Sequence, residues 1–412
     1  GKKLAGGRTI SAIALSSTWH SLLLCDSSGK PKTPVYLWPF MGASEICNNF
    51  RQNEKFTDEF YKTTGCMVNT IYPFFKLLFL QDQGYDLSKY LIMGQGSYIF
   101  YRMTESRLVS ECMASGSGLL NLETRQYDSK YLNLLGITDD QLGKVVSSNQ
   151  TAELKADAAE LLGIDKGIPV LTCQSDGGLN QLGSGATKSG YMTFSGGTSG
   201  ALRLSLQKPV LPNTPSTWCY ISPKGYLAGA ATNGFCNCID WYKSSILKNH
   251  YTYEQLESGG TITAESPYFL PFIFGERCPG WKQERRGGFL KISNHHRIQD
   301  LYSSILEGVL FNIYQCYEIL KTMQQVNKIR ISGGIVHSEK WLQMAADIFD
   351  FQLEIERAEH SSLLGAILLA RELVNDTQHF EQYQPEIEKI VYPDKYRHKL
   401  YKERYQKYLQ FY

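Results

Sequence analysis

Asp176 stands at the end of the β-branched run 169–173, one residue past Gln174-Ser175, and is followed by Gly177-Gly178. Transfer of a phosphoryl group to a hydroxyl needs a group that accepts the proton and aims the oxygen in line. A carboxylate at a strand end, with glycines that let a ligand approach the backbone, can do this. The same place suits a helix N-cap, because Asp before Gly-Gly-Leu-Asn is a good cap, and spacing leaves both roles open. Gly196-Gly197-Thr198-Ser199-Gly200 follows the run 191–194. Thr198 and Ser199 offer hydroxyl donors to phosphate oxygens beside an amide nest, or form an ordinary hairpin turn. The run 328–331 leads into Ser332-Gly333-Gly334. Three glycine-bearing strand ends without a Walker A sequence suggest a nucleotide cleft of another kind, with three tight turns as the plainer alternative. Trp19 and His20 follow the run 10–15 and offer an aromatic face and a donor to a polyhydroxy ligand. A structural histidine satisfied by its neighbours is the plainer reading of His20.

Short β-branched runs alternating with amphipathic stretches must carry these residues, which predicts an α/β fold. Leu301, Ile305, Val309, Ile313, Tyr317, Leu320 and Met323 recur at steps of three and four, predicting a helix over 299–324. A second helix starts near Ser361-Ser362, with serine as its N-cap. Lys188-Ser189-Gly190 reads as a hinge, dividing the chain into domains 1–188 and 189–412. The tail beyond Tyr383, rich in Tyr, Lys and Glu, reads as a solvated helix on the second domain.

A length of 412 residues exceeds one ordinary core and fits two domains. Forty-two basic and 40 acidic side chains give a net charge of +2, which leaves no electrostatic footprint for nucleic acid or an anionic membrane. Apolar runs such as 363–370 are too short to span a bilayer. Ten cysteines without CxxC or zinc spacing read as reduced thiols of a cytoplasmic protein. The chain has no initiator methionine and no apolar segment after Gly1-Lys2-Lys3, so a fragment or processed product is expected.

Taken in order, the motifs resemble the FGGY carbohydrate kinases, a family of actin-like ATPases. The resemblance runs through Ser16-Ser17-Thr18-Trp19-His20-Ser21, Tyr72-Pro73-Phe74-Phe75-Lys76-Leu77, Met113-Ala114-Ser115-Gly116-Ser117-Gly118-Leu119 and Ser175-Asp176-Gly177-Gly178. It continues through Gly197-Thr198-Ser199-Gly200, Phe269-Leu270-Pro271-Phe272-Ile273-Phe274-Gly275-Glu276-Arg277, and Ser332-Gly333-Gly334 with Trp341-Leu342-Gln343-Met344-Ala345-Ala346-Asp347. It implies an α/β, actin-like (ribonuclease H-like) two-domain fold with a central cleft. It moves Asp176 from cap to catalytic base. It implies substrate contacts at Trp19, His20 and Asp176, and nucleotide contacts at Gly197, Thr198, Ser199, Gly333, Gly334 and Ser338. ATP with Mg²⁺, a small sugar or sugar acid, and a homodimer are the implied partners. Ser-Ser-x-Trp-His-Ser and Ser-Asp-Gly-Gly look most like the gluconate kinase branch.

Two departures shape the expectation. The family opens with an Asp-x-Gly-Thr hairpin that holds phosphates, and nothing before Ile10 resembles it. The first domain is therefore expected to be incomplete, with an exposed sheet edge and unburied apolar surface. Phe40 and Gly42 stand where the resemblance leads to a sugar-binding Asp and Arg, and Asn69 stands where it leads to a histidine. Two alternatives follow: an impaired relic that binds nucleotide, sugar or a partner, and a kinase for a ketopentose or polyol.

Overall fold

The computed structural model describes residues 6–357, 360–374 and 383–412. In the first half, β1 (Ser16–Ser17) runs parallel to β2 (Gln174–Ser175). Ile13 bridges to Val170 just upstream. The strand expected over 10–15 is thus reduced to that one bridge. Ile10, Ile13 and Leu15 lie half-buried against Phe100, Leu154 and Val170. Among the described residues, the strands of this half pair only in twos. Its core is instead aromatic and helical. Helix α1 (Pro73–Asp82) begins on proline, whose missing N–H costs nothing in a first turn. It buries Phe74 and Phe75 against Phe60 and Tyr131, with ring centroids 4.9–5.7 Å apart. Helix α2 (Asp176–Gly183) leaves β2 directly.

The second half is built on one seven-stranded sheet. Its strands are β3 (Tyr191–Gly196), β4 (Gly200–Leu206), β5 (Trp218–Ile221), β6 (Tyr226–Thr232), β7 (Lys328–Ser332), β8 (Leu353–Glu356) and β9 (Ile387–Val391), in spatial order β5-β6-β4-β3-β7-β8-β9. β3 and β4 form an antiparallel hairpin, and β3, β7 and β8 run parallel. Parallel neighbours require crossovers. One is α3 (Ile298–Met323), within a residue of the helix the periodicity predicts. The other is α4 (Glu339–Phe349), whereas α5 (Ser361–Leu373) follows β8, whose pairing with β9 is antiparallel, and the C-terminal α6 (Lys395–Phe411) follows β9. No helix among the described residues is long and apolar enough to cross a membrane.

Two local expectations are corrected. The first residue before α5 is His360, and no serine side chain caps this helix. Ser361 Oγ donates to Glu356, and Ser362 Oγ donates to the Asp176 carbonyl, so tertiary partners have taken both hydroxyls. Helix α6 is not merely solvated: it buries Tyr401, Arg404, Tyr405 and Tyr408. Tyrosine and arginine bury long apolar stems while their polar tips find partners, which composition does not reveal.

The halves touch well beyond their linker. Cys219 N–H donates to Gly65 O (3.0 Å), Tyr61 O–H donates to Thr217 O (2.7 Å), and the hydroxyls of Tyr72 and Tyr220 meet at 2.8 Å. Helices α2 and α5 cross on glycines. A Cβ on Gly183 would collide with the Ser361 backbone, and one on Gly365 with the Leu179 carbonyl. We therefore expect Gly365→Ala to destabilise the chain by about 1–3 kcal/mol through overpacking, read by urea unfolding. A loss under about 0.5 kcal/mol, the scatter of ordinary surface changes, would show that the helices part freely.

Candidate active site

The turn from β2 into α2 decides which side chain caps the helix. Ser175 is extended (ψ 144°), and its Oγ accepts from Gly178 N–H at 3.0 Å. The cap therefore falls one residue earlier than the alternative reading of Asp176 needs. Asp176 becomes the first helical residue, exposed, with Oδ1 accepting from Gly177 N–H at 2.7 Å.

Trp19 lies against the neighbouring Gly177, and His20 follows Trp19 in the chain. Trp19 is 7% exposed, donates Nε1–H to Cys112 O (2.8 Å), and packs on Tyr220 and Trp218 at 5.1 and 5.9 Å. Its face is thus largely covered, while the edge of its ring reaches Gly177. A Cβ there would stand 2.7 Å from Trp19 Cζ3. His20 is 8% exposed, sits at φ 69°, and is wedged edge-on against Tyr72 and Tyr220. Burial, and then the charge of Arg277, hold its pKa well below the ordinary value, so the ring is neutral. Its Nδ1 lies 2.7 Å from Gly116 O. A carbonyl only accepts, so the proton is on Nδ1 and Nε2 is left as an acceptor. The donor expected of His20 is therefore spent on the backbone.

Lys76 holds this corner from below. Its ammonium donates to the His20 and Leu37 carbonyls, and burial pushes its pKa down to about 7. Above that pH the folded chain releases a proton that the unfolded chain keeps until about pH 10.4. The unfolded state then binds more protons, so this group makes stability rise with pH between those values and fall as pH drops towards 7. In Lys76→Met that rise should vanish. Between about pH 7 and about pH 9.5, urea melts should show the stability difference moving in favour of the wild type, by up to about 1.4 kcal/mol per unit. A flat difference would mean Lys76 stays charged in the fold.

The second and third glycine turns meet. β3 and β7 are parallel neighbours, so Gly196–Gly200 and Gly333–Gly334 emerge at one sheet edge. Gly333 has φ 92°, and a Cβ on it would lie 2.7 Å from the Gly196 carbonyl. Residues 197–199 do form the β3–β4 hairpin turn, with Gly197 N–H donating to Ser199 O. Thr198 and Ser199 also line a cavity of about 360 Å³, together with Asn233, Asn237 and Arg277. The first half contributes Trp38, Met41 and Asn69 to its wall. Ser338 is set apart from these: at 9% exposure it caps α4, accepting from Trp341 N–H at 3.1 Å.

The Phe40 segment reads differently in space. Phe40 packs on Tyr36 and Phe79 at 4.8 and 5.1 Å, and Trp38, Pro39 and Met41 face the cavity in its stead. Asn69 does line the cavity, with Oδ1 accepting from Ile71 N–H.

Two arginines at the site were not singled out from the sequence. Arg277 lines the cavity with a buried Nε that has no hydrogen-bond partner among the described residues. Arg203 projects from β4, donates Nη1–H to Ser195 Oγ at 3.3 Å, and also has a buried, unpartnered Nε. The signal for Arg203 was one cation inside the apolar strand Ala201-Leu202-Arg203-Leu204. The charges of Asp176 and Arg277 both act on Arg203, whose Nε lies close against Gly177 of the first half. Among the described residues, no three His, Cys, Asp or Glu side chains gather to hold a metal.

Residues 4–183 match the N-terminal domain of the FGGY family of carbohydrate kinases, and residues 192–371 match its C-terminal domain. A gluconokinase of Bacillus subtilis (strain 168) is 28% identical over 388 residues, covering 88% of this chain and 74% of that protein. The crystal structure of gluconate kinase from Lactobacillus acidophilus superposes with a TM-score of 0.92 at 27% identity, covering 98% of this chain and 84% of that one. A ligand-bound xylulose kinase from the same organism gives a TM-score of 0.92 at 26% identity, with the same coverage.

Proposed function

We propose that this chain, which belongs to the FGGY family of carbohydrate kinases and is a phosphotransferase, phosphorylates a hydroxyl of a sugar acid of the gluconate type. The observation that carries the reading is the Asp176 carboxylate, released from capping by Ser175 and exposed beside Trp19. Asp176 takes the proton of the attacking hydroxyl, a task that needs a carboxylate free to turn towards substrate. His20 Nε2 accepts from a second hydroxyl and so orients the polyol. Across the cleft, the Thr198 and Ser199 hydroxyls hold phosphate oxygens, and Arg277 supplies positive charge to the same cavity. Gly333 and Gly334 keep the backbone beside that turn open to the nucleotide. Family members use ATP, usually with Mg²⁺. Among the described residues no carboxylate cluster gathers, so that ion would be held mainly by phosphate oxygens and water, where it would offset phosphate charge. The ten cysteines are all free, which supports a cytoplasmic location.

A ketopentose substrate is the second reading, favoured by the likeness to xylulose kinase. The test is ADP release from Mg-ATP with gluconate, xylulose and glycerol in turn. The highest kcat/KM is expected with gluconate. A preference for xylulose would replace the sugar-acid reading. No turnover with any sugar, with ATP still raising the melting temperature, would mark a nucleotide-binding relic.

A further inference from the structure

Arg203 has the surroundings of a residue waiting for an anion. Its Nη1 is held by Ser195 Oγ at 3.3 Å, and no ion pair or hydrogen bond engages its buried Nε among the described residues. A buried guanidinium N–H without an acceptor is costly, so the arrangement is poor as pure structure. Asp176 is the carboxylate whose charge acts on it, but the two side chains make no salt bridge, and Asp176 Oδ1 accepts from the Gly177 amide. Gly177 keeps the space between them open. A Cβ there would lie 2.9 Å from Arg203 Nε and 2.7 Å from the Trp19 ring. Burial lowers the pKa of Arg203 from its ordinary value, Asp176 raises it, and the second cation, Arg277, lowers it again.

A planar guanidinium edge matches a carboxylate with two parallel hydrogen bonds, whereas a neutral hydroxyl leaves the charge uncompensated. We propose that Arg203 is the specificity-determining residue of this kinase: it binds the carboxylate of an aldonate while Asp176 meets the hydroxyl to be phosphorylated. This rests on the sugar-acid reading above and adds the group that reads the acid.

The test compares two ligands that differ only at one carbon: gluconate, and D-glucitol, which has CH₂OH in place of the carboxylate. Their affinities for the full chain and for Arg203→Met are measured by isothermal titration calorimetry. Arg203→Met should weaken gluconate by at least about 30-fold, as expected for truncating one side of a buried charge pair. Glucitol should stay within about threefold, since it never used the charge. If Arg203→Met does not fold, Arg203→Lys serves, because it keeps the charge but loses the fork; it should weaken gluconate by about tenfold and spare glucitol. Unchanged gluconate affinity, or equal weakening of both ligands, would overturn the role of Arg203 and leave the kinase reading standing. A wild-type chain that ignores gluconate but binds xylulose would overturn the sugar-acid reading itself, and the Arg203 assignment with it.

Discussion

Asp176→Asn should lower kcat by about 10²–10⁴-fold, the range for loss of a positioned general base, if Asp176 acts as proposed. The change is nearly isosteric, and the amide oxygen can still accept from Gly177 N–H. The helix keeps its cap, because Ser175 and not Asp176 accepts from Gly178 N–H. Stability should therefore hold, as surface changes away from such features usually stay within about 0.5 kcal/mol. The KM for ATP should hold as well, because the proposed nucleotide contacts lie on the turns after β3 and β7. The expected pattern is thus a fall in kcat alone, read by steady-state kinetics beside a thermal melt. A variant that keeps a tenth or more of its activity would return Asp176 to an ordinary acidic residue at a helix start, where it interacts favourably with the dipole.

The largest expected stability effect lies far from the cleft. Arg404 of α6 pairs with Glu307 of α3, Nε to Oε1 at 2.5 Å and Nη2 to Oε2 at 2.7 Å, with both side chains 1% exposed. Its other N–H groups donate to the carbonyls of Thr263, Ser266 and Pro267, and it lies over the Tyr268 ring at 4.2 Å. One guanidinium therefore ties the last helix to the central one and to the loop before Tyr268. Arg404→Met strands a buried carboxylate and three carbonyls, and should cost about 3–5 kcal/mol. Glu307 already titrates above its usual range through burial, with Arg404 pulling it back. Without Arg404 its folded pKa climbs further, so the folded state holds a proton that the unfolded state has released. The deficit then grows as pH rises through the carboxylate range and shrinks as it falls. Urea melts at about pH 5 and about pH 8 should show the smaller loss at the lower value. A loss below about 1 kcal/mol at both would mean that water reaches the pair and screens it.

Helix α3 was legible because a 3.6-residue stripe is a local property, and its ends fell within a residue of the sequence estimate. The paired glycine turns were legible for a similar reason. Glycine at a strand end marks backbone freedom wherever the rest of the chain goes. The strand over 10–15 was not: apolar content shows a wish for burial, but pairing needs a partner edge, and only Val170 meets Ile13 there. The serines that open α5 misled as caps because their hydroxyls answer to other partners, here Glu356 and the Asp176 carbonyl.

By itself the sequence determined the α/β class, the long helix and the glycine turns, since each depends on residue type and near spacing, while Asp176 stood out as the candidate base only through the ordered family resemblance. Only the tertiary structure decided how those groups stand. The choice between Ser175 and Asp176 as cap turns on a single residue of register. The neutral, Nδ1-protonated state of His20 comes from burial and from a carbonyl 96 positions away. Phe40 turned from the cleft because Tyr36 and Phe79 offered it apolar contact. Arg203 joined Asp176 because β4 and α2 come together across the two halves, with Gly177 leaving the room between them. Hydrogen-bond competition, desolvation and close approach are all set by neighbours distant in the chain, and those neighbours exist only once it has folded.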